Sequence, residues 1–201
     1  MPDTPFVPDT IRCDGCGREV SPAHLRERIA RLEWASRFRP IRITTLFLAP
    51  APPDALGDSF YSPENSPYDG GSHALREDLL EASGAAQEAE TRLAALARFR
   101  NAGFYFAEAV ECPVSSADDF PGVFQPLMPT LVRRIRHSYR PQSLVLLSEE
   151  LAPLALALDG AGVDARPLLL GSKPVPLPTA EAQARARFRG QVQSLLKLAN
   201  V

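Results

Sequence analysis

The chain has 201 residues, 45% of them apolar, and its 22 basic and 24 acidic side chains leave a net charge of -2. That is enough for one sizeable domain with a real core, and the near-balance of charge gives no global basic field, so any nucleic-acid contact must come from a local patch. No apolar stretch is long enough to span a bilayer, "MPDTPFVPDT" lacks the basic start and apolar run of a signal peptide, and three cysteines without a secretory context argue against a disulfide framework, so the expectation is a soluble cytoplasmic protein. The first dozen residues, with three prolines, read as loose, and "CDGCGREV" as a Gly-rich knuckle. "SPAHLRERIARLEWASRFR" opens on a Ser-Pro start signal and spaces Leu25, Ile29, Leu32 and Trp34 at helical intervals. "IRITTLFLAP" is a strand that stops at prolines, followed by a long polar loop, "PPDALGDSFYSPENSPYDGGS". "HALREDLLEAS" and "AAQEAETRLAALARFR" read as helices and "GFYFAEAVEC" as the second strand. "PVSSADDFPGVFQPL" reads as a loop, "MPTLVRRIRHSY" as a helix, "QSLVLLS" as the third strand and "EELAPLALALDGAG" as a helix. "ARPLLLG" is the fourth strand, and "TAEAQARARFRGQVQSLLKLAN" closes the chain as an amphipathic helix with Thr179 as its cap.

Strands alternating with helices predict a three-layer α/β/α fold around a mainly parallel sheet of about four strands. In such sheets ligands bind beyond the carboxyl ends of the strands. That rule selects "APAPPDALGDSFYSPENSPY", the turn after "FAEAVEC", and "GSKPVPLP".

Those three stretches, in that order, resemble the motifs of the uracil-DNA glycosylase superfamily, most closely its iron–sulfur bacterial and archaeal branch. The likeness spans nearly the whole chain from Cys13, and it implies a single domain over residues 1–201 with a Cys-x-x-Cys knuckle at about 11–20. Where that branch has Gly-Glu-Ala-Pro-Gly after the first strand, "APAPP" retains Ala51 and Pro52 as base-pocket residues. Where it has an aromatic that lines the pocket, "PYDGG" offers Tyr68. "AEAVEC" puts Glu108 where the family reads uracil with Asn, and "KPVPLP" puts Lys173 where it has the histidine that stabilises the departing base. Pro50 stands at the place of the water-orienting Glu.

Each substitution changes the chemistry. An ionised Glu108 only accepts hydrogen bonds, which suits an exocyclic amine, whereas a protonated Glu108 donates as Asn does; the alternative is a rim carboxylate paired with an arginine. Lys173 reads as a phosphate contact, as electrostatic support for a leaving base, as a Schiff-base nucleophile, or as an ordinary solvated loop lysine. Tyr68 would stack on a flipped base, a contact worth about 1–3 kcal/mol, or else plug the core. Asp54 and Asp58, in the loop after the first strand, are the candidates to orient a water in place of the lost Glu; the competing reading is that both make turns.

The Cys-x-x-Cys of Cys13 and Cys16 is half a metal site. The resemblance adds Cys112 as a third ligand of a [4Fe–4S] cluster, with the fourth place falling near Leu127, where no ligand residue stands. Zinc completed by His24 or His137 is the other possibility, and three free thiols the third. The expected function is that of a divergent glycosylase-superfamily monomer that binds single- or double-stranded DNA and excises a damaged base by hydrolysis of the N-glycosidic bond. The alternative is a non-catalytic nucleic-acid- or nucleotide-binding module on the same fold.

Overall fold

The computed structural model describes residues 10–63, 74–87, 91–116 and 119–199. In chain order these form β1 (Ile11–Arg12), β2 (Glu19–Val20), α1 (Pro22–Arg37), β3 (Thr45–Ala49), α2 (Ala74–Ala82), α3 (Arg92–Asn101) and β4 (Phe104–Glu108). They continue with α4 (Phe120–Arg134), β5 (Ser143–Leu146), α5 (Ala152–Gly160), β6 (Arg166–Leu168) and α6 (Ala182–Ala199). Tyr68 lies outside the described residues.

The four predicted strands form one all-parallel sheet in the order β4-β3-β5-β6, flanked by helices in a three-layer α/β/α arrangement. Every residue of β3 and β5 is buried. That is why both read as continuous apolar runs rather than as alternating ones: the central strands of a parallel sheet are covered on both faces. The ladder runs past the carboxyl ends of the strands, since Ala109 N–H donates to Ala49 O at 2.8 Å and Val110 N–H to Pro50 O at 2.9 Å. The outer edge of β4 is closed by a side chain, the buried Tyr61 hydroxyl accepting from Phe106 N–H at 2.8 Å.

Two local expectations are corrected. The expected loop "PVSSADDFPGVFQPL" is helical from Phe120 onward, with Pro126 and Pro129 inside α4. Each interior proline removes a backbone hydrogen bond, but Phe120, Val123, Phe124 and Leu131 bury one face of this helix against the core, and that packing prevails. The fourth strand is also shorter than expected, ending at Leu168. Leu170 and Lys173 then close a tight turn, bonding to each other at 2.8 and 3.1 Å. Gly171 (φ 57°) and Ser172 (φ 73°) are both left-handed at its centre. Beyond it Val175, fully buried, donates to Leu146 O at 2.9 Å. Pro174 and Pro176 flank that anchor, where they need no donor of their own, which accounts for the alternating prolines.

Candidate metal centre and cleft

The knuckle is built by local backbone bonds. β1 and β2 pair antiparallel, Cys13 N–H donates to Arg18 O at 2.8 Å, and Gly17 N–H returns to Cys13 O at 2.7 Å. Gly17 sits at φ +71°, a conformation that favours glycine and lets the chain turn back within so few residues. Immediately afterwards Ser21 caps α1 by accepting from His24 N–H at 3.3 Å, with Pro22 in the first turn. This cap places His24 beside the knuckle.

Four potential ligands meet there. The sulfur and nitrogen atoms of Cys13, Cys16, His24 and Cys112 all lie within 4.8 Å of one another. Cys13 Sγ is 3.6 Å from Cys112 Sγ, Cys16 Sγ is 3.8 Å from His24 Nε2, and His24 Nε2 is 3.1 Å from Cys112 Sγ. Thiolate and imidazole ligands sharing one tetrahedral ion at bond lengths of about 2.3 and 2.0 Å stand roughly 3.5–3.8 Å apart, so the set has the dimensions of a single-ion site. These residues can therefore hold a metal. His137, the other histidine candidate, is exposed and does not belong to the group, and Leu127 packs against the core.

Burial favours the neutral forms of Cys112, Cys16 and His24, so a cation would bind with release of thiol protons. Burial pushes the Cys112 thiol well above its ordinary range, with the two neighbouring thiols adding to the shift, and burial likewise raises Cys16. At Cys13 burial opposes ionisation, but hydrogen bonds from the Gly15 backbone, from Cys112 and from Cys16 outweigh it and bring the thiol below its usual value. Burial, assisted by Arg31, lowers the His24 pKa, which favours the neutral imidazole that binds metals. A bound dication would relieve the cost of placing three thiols together.

An outer layer supports the four. Arg28 lies across the knuckle with Nη1 4.0 Å from Cys13 Sγ, while its Nε donates to Glu111 Oε2 at 2.9 Å and Nη1 pairs with Asp14. Gly15 permits this approach: a Cβ there would stand 2.4 Å from Arg28 Nε. Arg134 pairs with the other Glu111 oxygen and donates to the carbonyls of Glu108 and Ala109 at 3.1 and 3.2 Å. Neither arginine nor Glu111 stands out in the sequence, because their roles depend on partners 23 to 83 residues away.

The same segment leads into a cleft of about 420 Å³ at the carboxyl edge of β3 and β4. Ala51, Pro52, Asp58, Phe60, Arg76, Glu108 and Leu177 are among its walls. Phe60 stacks on Phe106, with ring centroids 4.2 Å apart and planes 14° apart, and it supplies an aromatic wall that the sequence reading overlooks. Two buried arginines fix the loop that carries these residues. Arg31 Nε donates to Ser59 Oγ at 3.2 Å and its Nη2 reaches the Pro53 and Asp54 carbonyls, while Arg76 Nη1 reaches Ser59 O at 3.2 Å and Ser62 Oγ at 3.1 Å. Glu108 lies between this cleft and a much smaller void lined by Arg31, Tyr105, Glu111 and Tyr139. Desolvation pushes its carboxyl up to about 7 against the pull of Arg31 and Arg134.

Ala51, Pro52 and Glu108 thus come together as expected, and two other candidates do not join them. Asp54 is exposed and its carboxylate is not part of the cleft; Asp58 takes that place, with a buried Oδ1 that has no hydrogen-bond partner among the described residues. Lys173 is also outside the lining. The turn at Gly171 and Ser172 carries it to the surface, where its side chain is 74% exposed and Nζ lies 3.7 Å from Glu149, and Leu177 borders the cleft instead. No protein-family model matches the chain, and no curated protein matches it at a significant level.

Proposed function

We propose that this chain is a divergent uracil-DNA glycosylase-superfamily protein, an α/β domain cross-linked by one zinc ion, whose cleft at the carboxyl edge of the sheet receives a nucleic-acid base. One observation carries the reading. Ala51, Pro52 and Glu108, three of the residues that the resemblance assigns to the base pocket, share a cleft with the Phe60 ring. Apolar and aromatic walls suit the faces of a planar base, and Glu108 is the edge reader. With a carboxyl that titrates at about 7, it donates to a base carbonyl when protonated and accepts from an exocyclic amine when ionised.

Binding is favoured over turnover because Lys173 does not line this cleft. A hydrolytic reading rests on Asp58, whose side chain borders the cleft and whose carboxylate can accept a hydrogen bond from a water aimed at the sugar carbon. Zinc fits the knuckle better than a [4Fe–4S] cluster does. A cubane binds each thiolate to a different iron and holds the sulfurs farther apart than ligands of a single ion, whereas all four ligand atoms here lie within 4.8 Å. Three cysteines and a histidine form a closed structural set, so the ion supplies a cross-link between the knuckle, α1 and the segment after β4.

The test pairs fluorescence anisotropy with detection of abasic sites, using oligonucleotides that carry uracil, hypoxanthine, xanthine or alkylated bases. Tighter binding to one of these over an undamaged strand, altered by Glu108→Gln, is the expected result. Equal affinity for all of them, unchanged in Glu108→Gln, would overturn the base-binding reading. Abasic product that disappears in Asp58→Asn would establish hydrolysis. Elemental analysis should find one zinc per chain, and iron with acid-labile sulfide would overturn the zinc assignment.

A further inference from the structure

The amino edge of the sheet, opposite the cleft, gathers arginines from several loops. Several other basic side chains have acidic partners: Arg28 and Arg134 with Glu111, Arg185 and Arg189 with Asp78, Arg37 with Glu33, Lys173 with Glu149. At the amino edge Arg39, Arg42, Arg100, Arg136, Arg140 and Arg166 have no carboxylate partner among the described residues. The topology gathers them. Arg42 and Arg100 precede β3 and β4, Arg140 precedes β5, and Arg166 opens β6, so parallel strands deliver all of them to one edge. Thr44 N–H bonds to Gly103 O at 2.8 Å and Ser143 N–H to Thr44 O at 2.9 Å, which ties the three entering loops together. Arg39 spans two of those loops, donating to Ser138 O at 2.6 Å and lying over the Tyr139 ring at 5.6 Å.

Two concavities open on this edge. One, of about 510 Å³, is lined by Arg39, Arg42 and Arg100, and the other, of about 390 Å³, by Arg136 and Arg140. Asp164 is the one acidic residue on either lining. The two linings together carry five arginines and one carboxylate, in a chain whose net charge is -2.

We propose that this edge is a binding surface for the phosphate backbone of a nucleic acid, separate from the base cleft and on the opposite side of the sheet. Arginine's planar donor fork matches phosphate oxygens, and unpaired guanidinium groups spread over several loops suit a periodic polyanion better than a single small anion. The surface reads no sequence. It holds a strand by charge alone, and so raises the local concentration of nucleic acid near the domain.

The experiment measures binding of an undamaged, mixed-sequence duplex by anisotropy over a range of salt concentrations, for the zinc-loaded full chain and for Arg42→Glu/Arg100→Glu/Arg136→Glu. Removing three phosphate contacts should weaken binding by roughly tenfold or more and make the slope of log K against log salt shallower by roughly 2–3. Arg42→Lys/Arg100→Lys/Arg136→Lys, which keeps the charge, should retain most of the affinity, and matching circular dichroism and zinc content separate lost binding from lost folding. An undamaged duplex presents no lesion to the cleft, so this measurement tests the edge separately from the base reading. Failure of the triple reversal to change affinity or slope would overturn the proposal. So would a surface that captures poly-glutamate but not the duplex, which would make it a site for acidic proteins.

Discussion

Arg28 and Glu111, 83 residues apart in sequence, meet with Nε 2.9 Å from Oε2, and their pairing joins the metal site to the cleft. Arg28 sits between His24 and Arg31 on one face of α1, at i, i+4 and i+7. His24 belongs to the ligand set, Arg28 covers the knuckle and grips Glu111, and Arg31 holds the loop that forms the cleft wall. On the other side, Cys112 and Glu108 are four residues apart on the segment leaving β4. An ion held at the knuckle would therefore set the position of α1 against the strand end that carries Glu108.

Cys112→Ser and His24→Ala should each lose stoichiometric zinc, whereas Arg28→Ala should keep it with affinity about 10–100-fold weaker, as for other outer-layer partners of metal ligands. Competition against a chromophoric chelator measures this. A Cys112→Ser protein that keeps one tightly bound zinc would remove that residue from the site.

Glu108 makes stability depend on pH. Its folded pKa of about 7 lies above the ordinary 4.5, so the folded state binds this proton more tightly than the unfolded chain does. The contribution is fully present below about 4.5 and is lost as pH rises toward and through 7. Glu108→Gln should therefore gain melting temperature relative to the parent between pH 5 and 8, with little difference at pH 4. A gap between the two proteins that stays constant with pH would refute the shift.

Tyr61→Phe removes the acceptor for the Phe106 N–H on the outer edge of β4. A buried amide left without a partner costs about 1–3 kcal/mol, since the ring packing of Tyr61 against Phe38 and Phe60 survives the change. Urea denaturation should show a lower midpoint with an unchanged slope.

Asp78 is fully buried between α2 and α6, 2.8 Å from Arg185 Nε and 2.6 Å from Arg189 Nη1. Arg185 and Arg189 keep Glu77 and Glu81 as partners, so the main cost of Asp78→Asn is the loss of buried charge-assisted hydrogen bonds, and it should destabilise the domain by roughly 1–3 kcal/mol. Hydrogen exchange should locate the loss first in α6. Protection of α6 equal to the parent's would mean that the helix is held by its apolar face alone.

The strand–helix alternation, the buried parallel strands and the Cys-x-x-Cys half-site are legible in the sequence, because each follows from local periodicity or a short spacing. The rule that ligands meet at the carboxyl edge then suffices to bring Ala51, Pro52 and Glu108 together. The rest needs the fold. His24 rather than His137 joins the cysteines because the Ser21 cap sets its helix against the knuckle. Asp58 rather than Asp54 reaches the cleft because Arg31 and Arg76 pin the intervening loop from two sides. Lys173 leaves the site because two left-handed residues turn the chain before Val175 anchors it again. The arginine edge is only partly visible along the chain, in the runs "RFRPIR" and "VRRIRHSYR", while Arg100 and Arg166 lie far from both. Only parallel strand order collects them, because charge pairing and ligand geometry depend on distances in space that sequence separation does not encode.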